Sequence, residues 1–231
     1  IPLEDIASVL EHPERLIGLH FFNPAHTLPL VEVVRGSNSD EHWVEKGARF
    51  SKAIGKTPLV VKSAPGFLVN RVLAPYIMAA LEEEGRGTPK EVIDRACVDF
   101  GMPMGPVELA DSVGLDIMAS VAEQLGHPVA EDSKMHQLLK AGKVGRKKEE
   151  GYYRWVDGKA QRDEVSSDGH DLPALAEKLL RPMAEECQRC LDDGIVEDAD
   201  LIDGGVIFGT GFAPFRGGPL TWVRRLDGAA S

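Results

Sequence analysis

Cysteine is scarce in this 231-residue chain, which has only Cys97, Cys187 and Cys190. Three thiols cannot form a closed set of disulfides, so the composition points to a reducing compartment. Cys187 and Cys190 make a C-x-x-C, but it lies within a helical pattern, and no second pair or His-x-x-His completes four zinc ligands. No metal site is expected. Basic residues are outnumbered, 26 against 37 acidic, and a net charge of -11 argues against nucleic acid as a partner. The one dense basic cluster, Arg146, Lys147 and Lys148, reads as a solvated loop. No apolar run approaches the ~18 to 20 residues of a membrane span, and the start lacks a basic n-region followed by an apolar h-region. Cytoplasm is the expected location. Also missing is any G-x-G-x-x-G after a first strand, the turn that cradles a dinucleotide pyrophosphate. The first residue is Ile1 rather than Met, and the chain ends on Gly228-Ala229-Ala230-Ser231, so it reads as a fragment.

Hydrophobic residues at 43% and charged residues at 27% suit a soluble globular protein with one large or two small cores. Residues 16–22 (LIGLHFF) and 30–34 (LVEVV) are short apolar runs separated by Asn23-Pro24 and Pro29, and both read as strands. Helical spacing over 40–54 closes at Gly55, and Thr57 to Val61 is a third strand. This β-β-α-β order suggests the trailing edge of a mixed α/β sheet. From Pro65-Gly66 the pattern becomes helical, with further helices expected at 89–99, 106–125 and 133–141. Gly145 to Trp155, followed by Asp157-Gly158, reads as a hairpin, and 161–170 as a polar linker.

An internal repeat adds to this organisation. A helix stopping at Glu84-Gly85 leads to Ile93-Asp94, Phe100-Gly101 and Gly105-Pro106, while one stopping at Asp193-Gly194 leads to Ile202-Asp203, Phe208-Gly209 and Gly218-Pro219. The expected fold is therefore α/β then all-α. Residues 1–64 would end an α/β domain, 65–160 would form a first helical domain, and 161–231 a second, truncated helical repeat.

Three polar residues stand out against apolar surroundings. His20 ends a strand, where ligands of open α/β sheets bind. Glu32 interrupts an otherwise apolar strand, and a buried carboxylate is costly without a cation or donor. A histidine is the natural partner, because a carboxylate on one ring nitrogen fixes the tautomer that general-base work needs. Asn70 is a polar amide on the helix face formed by Phe67, Leu73 and Ile77.

The run HFFNP, then LVEVV with its Glu twelve positions after the His, then PGFLVNR with its Asn fifty positions after it, resembles the 3-hydroxyacyl-CoA dehydrogenase family. FGMPMGPVELADSVGLDI resembles it too, and the likeness extends over essentially the whole chain. The resemblance implies the C-terminal part of a Rossmann-type domain followed by helical domains, with NAD and an acyl-CoA meeting between them. It implies His20 as general base, Glu32 as its orienting partner, Asn70 at the substrate and Asn23 at the nicotinamide. Gly145 to Tyr153 stands where the family has GRKTGRGFY, which makes Lys147 the cofactor-side lysine. Two helical repeats are similar to the multifunctional α subunits of bacterial fatty acid oxidation complexes, implying an oligomer or a complex with a thiolase subunit. Some of those subunits have a substrate-contacting Tyr where this chain has Phe208. The resemblance implies oxidation of (3S)-3-hydroxyacyl-CoA to 3-ketoacyl-CoA by the parent protein, with this piece alone inactive. Two alternatives are a noncatalytic assembly module and a 3-hydroxybutyryl-CoA dehydrogenase.

Overall fold

A computed structural model describes residues 2–126 and 128–229. In chain order the elements are α1 (Leu3–Ala7), β1 (Gly18–Phe21), β2 (Leu30–Arg35), α2 (Glu41–Ala53), β3 (Thr57–Lys62), α3 (Val69–Gly85), α4 (Lys90–Phe100), α5 (Pro106–Val113), α6 (Leu115–Gln124), α7 (Lys134–Lys140), β4 (Arg154–Val156), β5 (Lys159–Gln161), α8 (Leu172–Asp192), α9 (Ala199–Thr210) and α10 (Pro219–Ala229). They divide into two compact units. One holds the chain up to Asn70 together with everything from Cys187 onward, and the other holds Arg71–Glu186.

In the first unit β2 is the central strand of a three-stranded mixed sheet, antiparallel to β1 and parallel to β3. Its run of Leu and Val is buried on both faces, as a central strand requires. Asp40 caps α2 by accepting from the His42 amide at 2.8 Å. The helix crosses close over the sheet because Gly47 has no side chain: a Cβ there would lie 2.3 Å from Ile17 Cδ1. Helix α9 is seated in the same way. A Cβ on Gly205 would meet Leu59 Cδ2 at 2.5 Å, and one on Gly209 would meet Val69 Cγ2 at 2.6 Å. The Lys62 amide also donates to the Ile195 carbonyl at 2.8 Å.

The second unit is helical apart from the β4–β5 hairpin. The single helix expected over 106–125 is two, because Gly114 takes φ 107°, outside any right-handed helix, so that α5 ends and α6 restarts. The hairpin turns where expected, but its strands are shorter. Asp157 and Gly158, with φ 50° and 73°, form its turn, and the strands are 154–156 and 159–161. Residues 145–153 wrap around Asp111 instead. This buried carboxylate accepts from the Tyr152 amide (2.9 Å), the Tyr153 amide (2.8 Å) and the Trp155 indole (3.0 Å).

One capping device occurs in both units. Asp94 of α4 accepts from the Val107 amide at 2.8 Å and the Glu108 amide at 3.1 Å, closing the start of α5. Asp203 of α9 accepts from the Leu220 amide at 2.8 Å and the Thr221 amide at 3.0 Å, closing the start of α10. Each aspartate lies against a glycine. A Cβ on Gly105 would fall 2.2 Å from Asp94 Cβ, and one on Gly218 would fall 2.4 Å from Asp203 Cβ. Cys97, Cys187 and Cys190 are buried free thiols. Among the described residues there is no cluster able to hold a metal, and no helix is long and apolar enough to cross a membrane.

Burial pushes the Asp94 carboxyl up to about 6, outweighing the donors from Val107, Tyr153 and Glu108. Its folded value therefore lies above its unfolded value. The stability this contributes is complete below the ordinary carboxylate range near 4 and is lost as pH rises through about 6, a swing of roughly 3 kcal/mol. A carbon-13 carboxyl titration should place Asp94 near 6; a midpoint near 4 would show that the capping donors win.

Candidate active site

His20 and Glu32 meet because of strand register. They are directly opposed partners on the antiparallel pair β1–β2, so their side chains leave the sheet on the same face. His20 Nδ1 lies 2.6 Å from Glu32 Oε2. A carboxylate can only accept, so Nδ1 carries a proton, and in the neutral ring Nε2 presents a lone pair. Glu32 is completely buried, while the His20 side chain is 30% exposed. The pair thus joins an anchored carboxylate to an accessible imidazole.

The other carboxylate oxygen is filled by the main chain. Glu32 Oε1 accepts from the Leu68 amide at 2.9 Å and the Val69 amide at 3.0 Å, at the N-terminus of α3. Those amides have no acceptor within the helix, and the positive end of the helix favours an anion there. The turn that aims them passes through Gly66 at φ 75° and Phe67 at φ 49°. A left-handed Phe is uncommon and stands here because its surroundings hold it. The Phe67 ring is one of two that flank the imidazole, 5.4 Å from His20 between centroids; Phe22 sits edge-on at 4.7 Å.

The remaining residues singled out from the sequence lie in several places. Asn70 is half-buried in the first turn of α3, next to the Val69 amide that holds Glu32. Asn23 is exposed in the bend after β1, three positions beyond His20. Phe208 lies on α9 with 48% of its surface exposed. Lys147 is in the second unit, where its Nζ forms a bidentate ion pair with Asp116 at 2.6 and 2.8 Å. Sequence reasoning missed the Leu68 and Val69 amides, which carry no side-chain signature; the Pro65-Gly66 turn just before α3 was the available signal.

Residues 1–64 match the family described as 3-hydroxyacyl-CoA dehydrogenase, NAD binding domain, and residues 66–155 match 3-hydroxyacyl-CoA dehydrogenase, C-terminal domain. The chain belongs to the 3-hydroxyacyl-CoA dehydrogenase family. Its α/β part is the Rossmann-like NAD-binding portion of that family, and a helical C-terminal domain follows. A fatty acid oxidation complex subunit alpha from Vibrio cholerae is 37% identical over 98% of this chain and 34% of its own length. One from a Shewanella strain is 36% identical over the same share of each. The chain thus spans about a third of the curated relatives it matches. Among solved structures, 3-hydroxybutyryl-CoA dehydrogenase from Escherichia coli aligns with a TM-score of 0.80 at 26% identity, covering 98% of this chain and 66% of that one. The dehydrogenase part of multifunctional enzyme 1 from C. elegans gives 0.66 at 27% identity, covering 91% and 52%.

The geometry makes a sharp forecast for Glu32→Gln. With the Leu68 and Val69 amides requiring an acceptor, the glutamine oxygen must face them and its NH2 must face His20 Nδ1. That nitrogen then has to accept, and the proton moves to Nε2, where a general base needs a lone pair. Imidazole nitrogen-15 shifts should report the Nε2–H tautomer in the variant. An unchanged tautomer would mean that Glu32 does not set it.

Proposed function

We propose that the protein containing this chain oxidises (3S)-3-hydroxyacyl-CoA to 3-ketoacyl-CoA with NAD, within fatty acid β-oxidation. The observation that carries the reading is the Glu32–His20 pair, an Nδ1–H bonded to a buried carboxylate on an imidazole that is 30% exposed. His20 takes the substrate hydroxyl proton on Nε2, and Glu32 stabilises the imidazolium that forms. Asn70 donates its side-chain amide to the substrate oxygen from the first turn of α3. NAD, when bound, supplies the acceptor for the hydride leaving C3.

The residues present fit only part of that cofactor. Asn23, exposed after the end of β1, suits the nicotinamide; Lys147 is assigned to the cofactor by resemblance, its ammonium being paired with Asp116 within the second unit. The N-termini of α2 and α3 do not suit a pyrophosphate, because the Asp40 and Glu32 carboxylates already hold their amides. The diphosphate is therefore assigned to none of the residues described.

The repeated aspartate caps support reading 65–160 and 161–231 as related helical segments, the second truncated, with Phe208 lining the substrate side in the second copy. Likeness to α subunits of fatty acid oxidation complexes supports a multienzyme assembly; a thiolase as the partner subunit and the cytoplasm as the location are part of the same proposal. A second reading is favoured by the 0.80 TM-score to a 3-hydroxybutyryl-CoA dehydrogenase, which would place short acyl chains first.

Turnover of the full-length protein on 3-hydroxyacyl-CoA of graded chain length separates the two readings. In that protein His20→Ala should lower kcat at least ~100-fold, the scale of a lost general base. Asn70→Ala should lower kcat and kcat/KM together, as expected for a bond made in the transition state. If kcat survives His20→Ala within about threefold, the base is another group.

A further inference from the structure

The loop at residues 22–29 joins the strand of His20 to the strand of Glu32 and carries Asn23. Its own backbone bonds are few. The Thr27 and Leu28 amides both donate to the Pro24 carbonyl, at 3.0 and 3.1 Å, which leaves the Ala25 and Leu28 carbonyls without a main-chain donor among the described residues. Both are served by one side chain. Lys56 Nζ donates to the Ala25 carbonyl at 2.5 Å and to the Leu28 carbonyl at 2.8 Å.

The root of Lys56 is itself fixed. Gly55 ends the turn after α2 at φ 78°, the Lys56 amide donates to the Ser51 carbonyl at 2.9 Å, and the Thr57 amide donates to the Pro29 carbonyl at 2.8 Å. The ammonium therefore projects from a rigid corner between α2 and β3. Residues 23–27 are exposed, and these two charge-assisted bonds tie the loop to that corner.

We propose that Lys56 is a positioning residue for the cofactor: it holds loop 22–29 in the conformation in which Asn23 meets the nicotinamide. The inference rests on the dehydrogenase reading through the role given to Asn23. Without the ammonium the loop samples other conformations, and apparent affinity falls with the competent fraction. The effect belongs to NAD and not to the acyl-CoA.

The test uses the full-length protein with Lys56→Met, Lys56→Arg, Asn23→Ala and the Lys56→Met/Asn23→Ala double variant. NADH binding is read by fluorescence titration, and loop exchange by hydrogen–deuterium exchange without ligand. Lys56→Met should raise the NADH Kd about tenfold, the scale of one charge-assisted hydrogen bond, and speed exchange at Thr27 and Leu28. KM for the acyl-CoA should stay within about twofold, and Lys56→Arg should recover most of the loss. Because Lys56 acts through Asn23, the double variant should bind NADH no more weakly than Asn23→Ala alone. An NADH Kd within about twofold of the parent in Lys56→Met, even with a lower Tm, would reduce Lys56 to loop stability and overturn the proposal. Losses that multiply in the double variant would also overturn it. A parent that binds NADH but does not oxidise 3-hydroxyacyl-CoA would sink the substrate reading, while the Kd comparison would still decide Lys56.

Discussion

Everything at the candidate site depends on the solvation of one carboxylate. Glu32 has no exposed surface, and an ion withdrawn from water in this way costs several kcal/mol unless its oxygens are filled. The imidazole fills one oxygen, and two main-chain amides fill the other. The same three bonds hold the His20 ring, set its tautomer and pin the first turn of α3 to the central strand. Because the Leu68 and Val69 donors are backbone groups, the first turn of α3 cannot shift from its place without leaving a buried charge unpaired. Asn70, the next residue, is thereby placed by the solvation of Glu32.

The rest of the molecule solves the same problem in the same way. Asp94, Asp111 and Asp203 are also buried, and each accepts at least two main-chain amides. Such an arrangement requires the backbone to come within hydrogen-bond distance of the side chain. Gly105, Gly151 and Gly218 permit this, each with a Cβ position that would overlap its aspartate. Part of the acidic excess of this chain is thus internal, serving as anchors for turns and helix starts.

The legible part of the fold was the part written in local periodicity. Strands β1 to β3 and helix α2 followed from short β-branched runs and one amphipathic stretch, and Glu32 was conspicuous because it broke an apolar strand. Its pairing with His20 could be inferred because a buried carboxylate needs a cation or donor, and a histidine ended the neighbouring strand. What spacing cannot reveal is which main-chain groups a side chain will meet. The Leu68 and Val69 amides, the wrapping of 145–153 around Asp111 and the break at Gly114 all depend on tertiary contacts or on a backbone dihedral that residue type alone does not specify. The association of residues beyond Cys187 with the first seventy was illegible for the same reason.

That association bears on how the protein is made. Leu59 and Leu68 find their helical cover at Gly205, and the Lys62 amide finds its acceptor at Ile195. At ordinary translation speeds the ribosome needs roughly 10 to 30 s to extend the chain across that interval. During those seconds one face of the sheet bearing His20 and Glu32 has been synthesised while its α9 cover has not. The intervening helices, rich in contacts near in sequence, can form first. The unit with the candidate chemistry is therefore completed only after the helical unit between its two segments has been synthesised.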